Sequence, residues 1–401
     1  MPLRLSCHVA LDFEVTVGRG LLAGTSPILA EAVPAQRGLV VVDADVDRLH
    51  GNGIRDLLLA TMPGFALYVI AAGEADKSMA TVLDLCSQAQ HEGLGRRDAL
   101  VAIGGGVCCD VVSVAATLIR RGLPYVCVPT TLLGQIDAGI GVKGAVNFGP
   151  CKNYLGAFYP PAAVICDLDF LASLPVAELR SGMAEMLKMA LLRDPALFGQ
   201  LQAHGPSLVA TGFAEPDGVG EDLVRRSAQL MLEELGKDPY ESGELARLVD
   251  FGHTFSPVLE ARSEYRLRHG EAVAIDMALS ALLALELGLA CERDVDEILA
   301  LMLDLGLPVT SPLVTDDALD HALEAGIAHR GGSLNLVVPL RIGASTFIRS
   351  RAAIPPEALA MTRLRAATYQ AAVRRPSSPT EEGEVLAPGG SCGDAAVAAA
   401  V

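Results

Sequence analysis

In the first 165 residues, short β-rich runs at 38–43, 66–71, 99–104, 125–129 and 163–167 alternate with helical patterning near 77–92 and 107–119. A strand, a helix and a second strand in succession must give parallel strands, because the helical crossover returns the chain to its starting edge. This half is therefore expected to be a Rossmann-like parallel sheet covered by helices. After about residue 175 the β-branched runs thin out and helical periodicity takes over. The stretch 176–193 places Met183, Met186, Leu187 and Ala190 at i, i+3, i+4 and i+7, and 220–235, 270–287 and 294–303 also read as helices. One late strand is expected at 334–339. The expected fold class is α/β, with a parallel-sheet domain over 1–170 and a mainly α-helical domain over 171–365. A disordered tail follows over 366–401, since 374–401 is rich in Pro, Ser, Gly and Ala without a periodic apolar face.

Composition narrows the class of function. A formal net charge of −17 argues against nucleic acid as the main partner, because a phosphate backbone requires a basic face. No uncharged apolar run reaches the roughly 18 residues that span a bilayer, and no membrane partner is expected. The opening MPLRLSCHVALDFEV alternates like a strand and lacks a basic-then-apolar leader, so a cytoplasmic location is expected. Nine cysteines without a C-x-x-C pair fit reduced thiols rather than a disulfide frame.

Three groups of residues suit chemistry. Gly104-Gly105-Gly106 follows an apolar strand and opens a helix, where exposed amides and the helix N-terminus favour a pyrophosphate. Asp43 ends another apolar strand, where a carboxylate can accept from ribose hydroxyls, and Gly73-Glu74-Ala75-Asp76-Lys77-Ser78 starts a helix after a third. The same glycines could serve packing alone, but together these features point to a dinucleotide. Lysine use is the second signal. Of 31 basic side chains only Lys77, Lys143, Lys152, Lys188 and Lys237 are lysine, so the chain keeps a compact, titratable ammonium at few places. Lys143 is expected in a Gly-rich apolar loop. Third, Glu185, His253 and His269 offer one carboxylate and two imidazoles, a set that leaves a zinc-like ion an open position. Either histidine alone would read as a hydrogen-bonded core residue.

The blocks GEADKS, GGGVCCD, RRGLPYVCVPTTLLGQIDAGIG-K, KN-LGAFYPP, GMAEMLK, DFGHTFSP and HGEAVAIDM together resemble the sugar phosphate cyclases, the superfamily typified by 3-dehydroquinate synthase. The resemblance runs from about residue 38 to 345 and implies a dehydroquinate synthase-like fold. It implies that Glu185, His253 and His269 hold one divalent metal, zinc or cobalt. It implies that Asp43, Glu74, Lys77, Gly105, Gly106, Val107, Asp110, Thr130, Thr131, Lys143, Lys152, Phe170 and Ser173 hold NAD. By the same resemblance Lys143, Lys188 and Asp137 are catalytic, and Arg121, Asn153, Asp250 and His329 bind a sugar phosphate. Arg121 matches an arginine that reaches a neighbouring subunit's substrate, which implies a homodimer.

Departures from 3-dehydroquinate synthase sharpen the expected substrate. That family usually has Asn at Asp250, His at Pro257, and lysines near Met231-Leu232 and at His329. A site that loses cations and gains Asp250 should prefer an uncharged hydroxyketone end to a carboxylate, since an unpaired buried carboxylate is costly. The blocks DAGIGVKGAVNF, DFGHTFSP and HRGGSLNLVVP resemble those of the 2-epi-5-epi-valiolone synthases, which cyclise sedoheptulose 7-phosphate. Valiolone- and gadusol-type cyclases more often read SVG at Gly139-Ile140-Gly141. The rival readings are 3-dehydroquinate synthase, another cyclase of the superfamily, a metal-dependent polyol dehydrogenase and a silent paralogue that binds only nucleotide or a partner. The expected chemistry is transient oxidation by NAD, loss of phosphate, re-reduction and an intramolecular aldol, with a place in aminocyclitol biosynthesis.

Overall fold

The structure, a computed structural model, describes residues 11–149, 151–243 and 246–373. It divides into two units, Met1–Leu174 and Pro175–Val401. The division falls at Leu174/Pro175, four residues beyond the expected boundary at 170.

The first unit runs β1 (Glu14–Gly18), α1 (Ile28–Ala32), β2 (Gly38–Asp43), α2 (Ala44–Thr61), β3 (Phe65–Ile70), α3 (Met79–His91), β4 (Ala99–Gly104), α4 (Gly106–Leu118), β5 (Tyr125–Pro129), β6 (Lys143–Phe148), β7 (Cys151–Phe158) and β8 (Ala163–Asp167). Its main sheet has the order β1-β8-β5-β4-β2-β3, and every pairing in it is parallel. Central strands buried on both faces need near-continuous apolar sequence. Leu39–Val42 and Ala99–Ile103 supply it, each of these residues being fully buried. The chain moves outward from β2 to β3, then returns to place β4 on the other side of β2. That reversal opens a crevice beyond the carboxyl ends of β2 and β4, the place where open α/β sheets bind ligands.

The strands β6 and β7 form a separate antiparallel hairpin. Lys143 therefore opens a strand rather than lying in a loop. The alternation of exposed Lys143 and half-buried Ala145 with buried Gly144 and Val146 has a strand's period of two, which the glycines obscure in the sequence. A Cβ on Gly144 would lie 2.4 Å from Ser113 Oγ, so the hairpin packs directly on α4.

The second unit comprises α5 (Val176–Arg193), α6 (Pro195–Ala210), α7 (Val219–Leu235), α8 (Ser256–Arg262), α9 (His269–Glu286), α10 (Glu292–Asp304), α11 (Asp316–His329), the antiparallel pair β9 (Leu336–Arg341) and β10 (Ala344–Ile348), and α12 (Pro356–Val373). Helices α5 and α9 are buried over most of their length, and the burial takes in Glu185 and Lys188 on α5 and Asp276 on α9. They approach closely at one point. A Cβ on Gly270 would stand 2.2 Å from the Ser181 carbonyl oxygen, and the Gly270 amide donates to Ser181 Oγ at 3.0 Å. Helix α12 carries the fold past the expected end at 365, because Thr362 and Ala366 recur on a buried face. The remainder of the expected tail, 374–401, lies outside the described residues, as does 1–10 of the expected N-terminal strand. Among the described residues no helix is long and apolar enough to cross a membrane, and the described cysteines are free.

Candidate active site

In the first unit the residues named from the sequence, Arg121 apart, gather at the carboxyl ends of the strands and on the hairpin; Arg121 lies between α4 and the start of β5, at the other end of the sheet. Gly105 caps α4 without any side-chain bond, and Gly106 is the first helical residue. Gly105 has φ −71°, and a Cβ on Gly106 would come no nearer than 3.6 Å to Ala138 Cβ. Packing does not demand a bare backbone at Gly106. Val107 follows, half-buried, in the same turn. Asp43 sits across the crevice as the N-cap of α2, accepting from the Asp45 amide at 2.9 Å. Burial pushes its carboxyl up, against hydrogen bonds from the Asp45, Gly105 and Val46 amides. Thr130 is buried and its amide donates to the Gly104 carbonyl at 2.9 Å, while Thr131 Oγ1 accepts from the Gly134 amide at 3.1 Å. Asp137 lies half-buried in the π-helical turn that follows, Gly134–Ala138.

Lys77 is the hub of the hairpin contacts. Its buried ammonium lies 2.6 Å from Asp110 Oδ2 and donates to Asn153 Oδ1 at 2.6 Å. Asp110 Oδ1 accepts from the Ala145 amide at 3.2 Å. Glu74 accepts from Asn147 Nδ2 at 2.8 Å and stands 3.7 Å from Lys152 Nζ. Asn147 in turn accepts from the Asn153 amide at 3.0 Å and so supports Asn153 at φ 53°, a conformation that side-chain-bearing residues rarely adopt. Phe170 is buried and packs edge-on against His50, whose Nε2 is 2.8 Å from Ser173 Oγ. Arg121 is exposed with φ 70°, directly after Arg120 at φ 56°.

In the second unit Glu185, His253 and His269 converge, their ligand atoms all lying within 4.8 Å of one another. Glu185 is fully buried. Lys188 Nζ lies against its Oε2, and Nε2 of His269 and of His253 stand 3.4 Å and 3.9 Å from Oε1. The other ring nitrogens are engaged: His253 Nδ1 with the Phe251 carbonyl at 3.0 Å, His269 Nδ1 with Glu260 Oε1 at 2.9 Å. Those partners orient both rings with Nε2 inward, the arrangement that metal-ligating histidines use. Gly252, at φ 79°, lets the chain turn into His253 where a Cβ would meet Val273 Cγ1 at 2.8 Å. The electrostatics fit a cation. Burial would raise the Glu185 carboxyl, yet Lys188 and the two imidazoles hold it well below its ordinary value. Burial and the Lys188 charge keep His253 below its usual value, whereas Glu185 and Glu260 overcome burial and raise His269 to about 10. A buried carboxylate and two inward imidazole nitrogens form a suitable donor set for zinc or cobalt.

Asp250 accepts from Arg247 Nη2 at 2.6 Å and lies 3.9 Å from Arg330 Nε. Arg330 is buried, while its neighbour His329 is exposed at the end of α11. The surroundings of Asp250 are therefore not stripped of cations, contrary to the expectation drawn from the missing lysines, because two arginines balance it. Sequence reasoning also passed over Asn147, Glu260, Asp276 and Arg330. Asp276 had a signal: it is the lone carboxylate in the apolar run 272–285.

A parallel-sheet unit with an open glycine turn, together with a helical unit carrying a carboxylate–bis-imidazole cluster, defines a dehydroquinate synthase-like architecture. Residues 67–181 match the family model for the 3-dehydroquinate synthase N-terminal region, and 182–325 that for its C-terminal region. The chain is 42% identical over 352 residues to a 2-epi-5-epi-valiolone synthase of Streptomyces glaucescens, covering 87% of this chain and 89% of that protein. It is 35% identical over 352 residues to a 3-dehydroquinate synthase of Xylella fastidiosa, covering 85% and 94%. The solved structure of ValA, a 2-epi-5-epi-valiolone synthase from Streptomyces hygroscopicus with NAD+ and Zn2+ bound, superposes with a TM-score of 0.85 at 40% identity, covering 91% of this chain and 99% of that one. The chain belongs to the 3-dehydroquinate synthase family of sugar phosphate cyclases, among the 2-epi-5-epi-valiolone synthases.

Proposed function

We propose that the protein converts sedoheptulose 7-phosphate to 2-epi-5-epi-valiolone and inorganic phosphate. The route is transient oxidation at C5, phosphate elimination, re-reduction and intramolecular aldol closure. The observation that carries this reading is the 42% identity, over 87% of the chain, to a protein of that name. NAD, when bound at the α4 turn, supplies a hydride acceptor that is regenerated in the same cycle. A zinc or cobalt ion, when bound by Glu185, His253 and His269, supplies polarisation of substrate oxygens.

The remaining work falls to the chain's own groups. Asp43, Glu74, Gly105, Gly106, Val107, Thr130, Thr131, Phe170 and Ser173 hold the nucleotide, and Lys77 and Asp110 fix the hairpin beside it. Lys143 orients nicotinamide and substrate hydroxyls, with Asp137 beside the reacting carbohydrate. Lys152 and Asn153 hold the phosphate. Asn153 uses its carbonyl oxygen on Lys77, so its contribution to an anion is the amide Nδ2. Lys188 carries protons to and from substrate oxygens. Asp250 accepts from hydroxyls at the ketose end, and His329 assists Lys152 and Asn153 with the phosphate. Arg121 reaches the phosphate bound by a second subunit of a homodimer. Its exposed, left-handed backbone supports that role, since such conformations persist where function requires them. The enzyme acts in the cytoplasm and serves aminocyclitol biosynthesis.

The test is incubation with NAD, Zn2+ or Co2+ and sedoheptulose 7-phosphate, following phosphate and absorbance of NADH. Phosphate release without net NADH, with product NMR giving the epimer, is expected. Accumulating NADH without phosphate would establish a polyol dehydrogenase instead. Turnover only of the seven-carbon carboxylate sugar phosphate used by 3-dehydroquinate synthase would overturn the substrate assignment.

A further inference from the structure

We infer that Asp276 is a positioning residue for the metal cluster, setting the separation of His253 and His269 by pinning α8 to α9. The inference rests on the reading of Glu185, His253 and His269 as metal ligands. Asp276 lies on α9, two helical turns after His269, and is fully buried. Its Oδ2 accepts from the backbone amides of Thr254 at 2.8 Å, of Phe255, and of Ser256 at 2.9 Å. Its Oδ1 accepts from Ser280 Oγ at 3.2 Å. Those three amides directly follow His253 and form the entrance to α8.

The far half of α8 is tied back to α9 as well, through Glu260 Oε1 and His269 Nδ1 at 2.9 Å. A closed circuit results. Asp276 holds the start of α8, α8 carries Glu260, and Glu260 orients His269 on the helix to which Asp276 belongs. His253, one residue before the clamped amides, has its place fixed by the same carboxylate. A charged group in this apolar helix is costly to desolvate, and capping alone could be met by a neutral hydroxyl. A carboxylate oxygen can accept several amides at once, as here, and hold them in one geometry.

The test compares wild type, Asp276→Asn and Leu299→Ala as full-length apo-proteins. The last is a core substitution on α10, a helix that carries no residue of the cluster. Zn2+ affinity is measured by chelator competition and apo-protein stability by thermal melting. Asp276→Asn is expected to weaken Zn2+ binding about 10- to 100-fold, the usual effect of losing an outer-shell partner. It is also expected to shift the visible Co2+ absorption band, which reports ligand geometry. Leu299→Ala should lower the melting temperature with Zn2+ affinity and Co2+ band unchanged. Wild-type affinity in Asp276→Asn, or a loss that Leu299→Ala shares, would overturn the inference. Should Asp276→Asn not fold, Asp276→Glu keeps the charge but displaces the carboxylate by one methylene from the three amides, and an unmoved Co2+ band in that folded variant would overturn the inference equally. Absence of Zn2+ binding by the wild type would instead overturn the ligand reading itself.

Discussion

Zinc binding to the apo-protein should release one proton at pH 7.5, and the structure assigns that proton to a single nitrogen. Glu185 is held well below the ordinary carboxylate range, so it is already ionised. His253 lies below its usual value of 6.5 through burial and the Lys188 charge, so it is already neutral. His269 is different. Its hydrogen bonds to Glu185 and Glu260 outweigh burial and raise it to about 10, so it is an imidazolium until metal requires its Nε2 lone pair. The ring keeps 34% of its side-chain surface exposed, and solvent screens part of that shift. The proton count survives any value above about 9. Zinc affinity should accordingly rise about tenfold per pH unit, or about hundredfold from pH 7 to 9. Calorimetry in buffers of different ionisation enthalpy gives the count directly, and chelator competition gives the slope. The variant Glu260→Gln should move the two observables separately. It removes one cause of the raised value while Glu185 remains, so proton release at pH 8.5 falls. It also loosens the ring, so affinity falls about 10- to 100-fold. A pH-independent zinc affinity in the wild type would refute the reasoning, and two protons at pH 7.5 would bring Lys188 into the exchange and refute the count.

Three further outcomes follow from single contacts. Lys77→Met should cost about 3 kcal/mol in urea unfolding, because it leaves Asp110 without its cation, and Lys77→Met/Asp110→Asn should recover most of that. Full additivity of the two would show that the pair is not coupled. Gly270→Ala should cost about 3 kcal/mol and weaken zinc binding at least tenfold, because the new methyl would overlap the Ser181 carbonyl and part α5 from α9. Unchanged melting and zinc titration would disprove that close approach. Asp194→Ala should cost about 1–2 kcal/mol at pH 7, since Asp194 caps α6 through the Ala196 and Leu197 amides and pairs with Arg226. Burial opposes those partners but they win, and the Asp194 carboxyl lies below its ordinary value in the folded state. Its stabilisation is therefore full above about pH 4 and is lost as pH falls through the depressed folded value. Melting curves should show the variant's deficit shrinking on acidification, and a constant deficit would refute that linkage.

The strands of the parallel sheet were legible because burial on both faces leaves a continuous apolar run. The sequence boundaries 38–43, 99–104, 125–129 and 163–167 coincide with β2, β4, β5 and β8. The long helix 176–193 was equally plain from its period. What escaped the sequence were elements whose apolar pattern is weak or interrupted. Helix α2 contains Gly51 and Gly53 among polar residues, and α6 holds Pro206. The β6–β7 hairpin alternates around small residues, and only its packing on α4 makes those glycines intelligible.

The same division applies at the site. Glu185, His253 and His269 could be picked out because ligand chemistry restricts residue type, and family blocks surround each of them. Glu260 could not, since a carboxylate that orients an imidazole is marked only by where the chain folds it, and Asp276 stands out in its apolar run without any sign of what it binds. Glu260 lies nine residues from His269 in sequence and Asp276 twenty or more from the amides it receives. Charge balance was the least legible property of all. Counting the absent lysines suggests that Asp250 lost its counter-charges, but charge neutralisation depends on distance rather than on alignment position. Arg247 lies three residues before Asp250 on one short turn, and Arg330 comes from the far end of α11. A buried guanidinium cannot discharge itself by losing a proton as a lysine can, so Arg330 requires an anion nearby. Replacing Asp250 would therefore leave the Arg330 guanidinium uncompensated beside the carbonyl of His253, to which it also donates, whereas replacing Arg330 leaves Asp250 paired with Arg247.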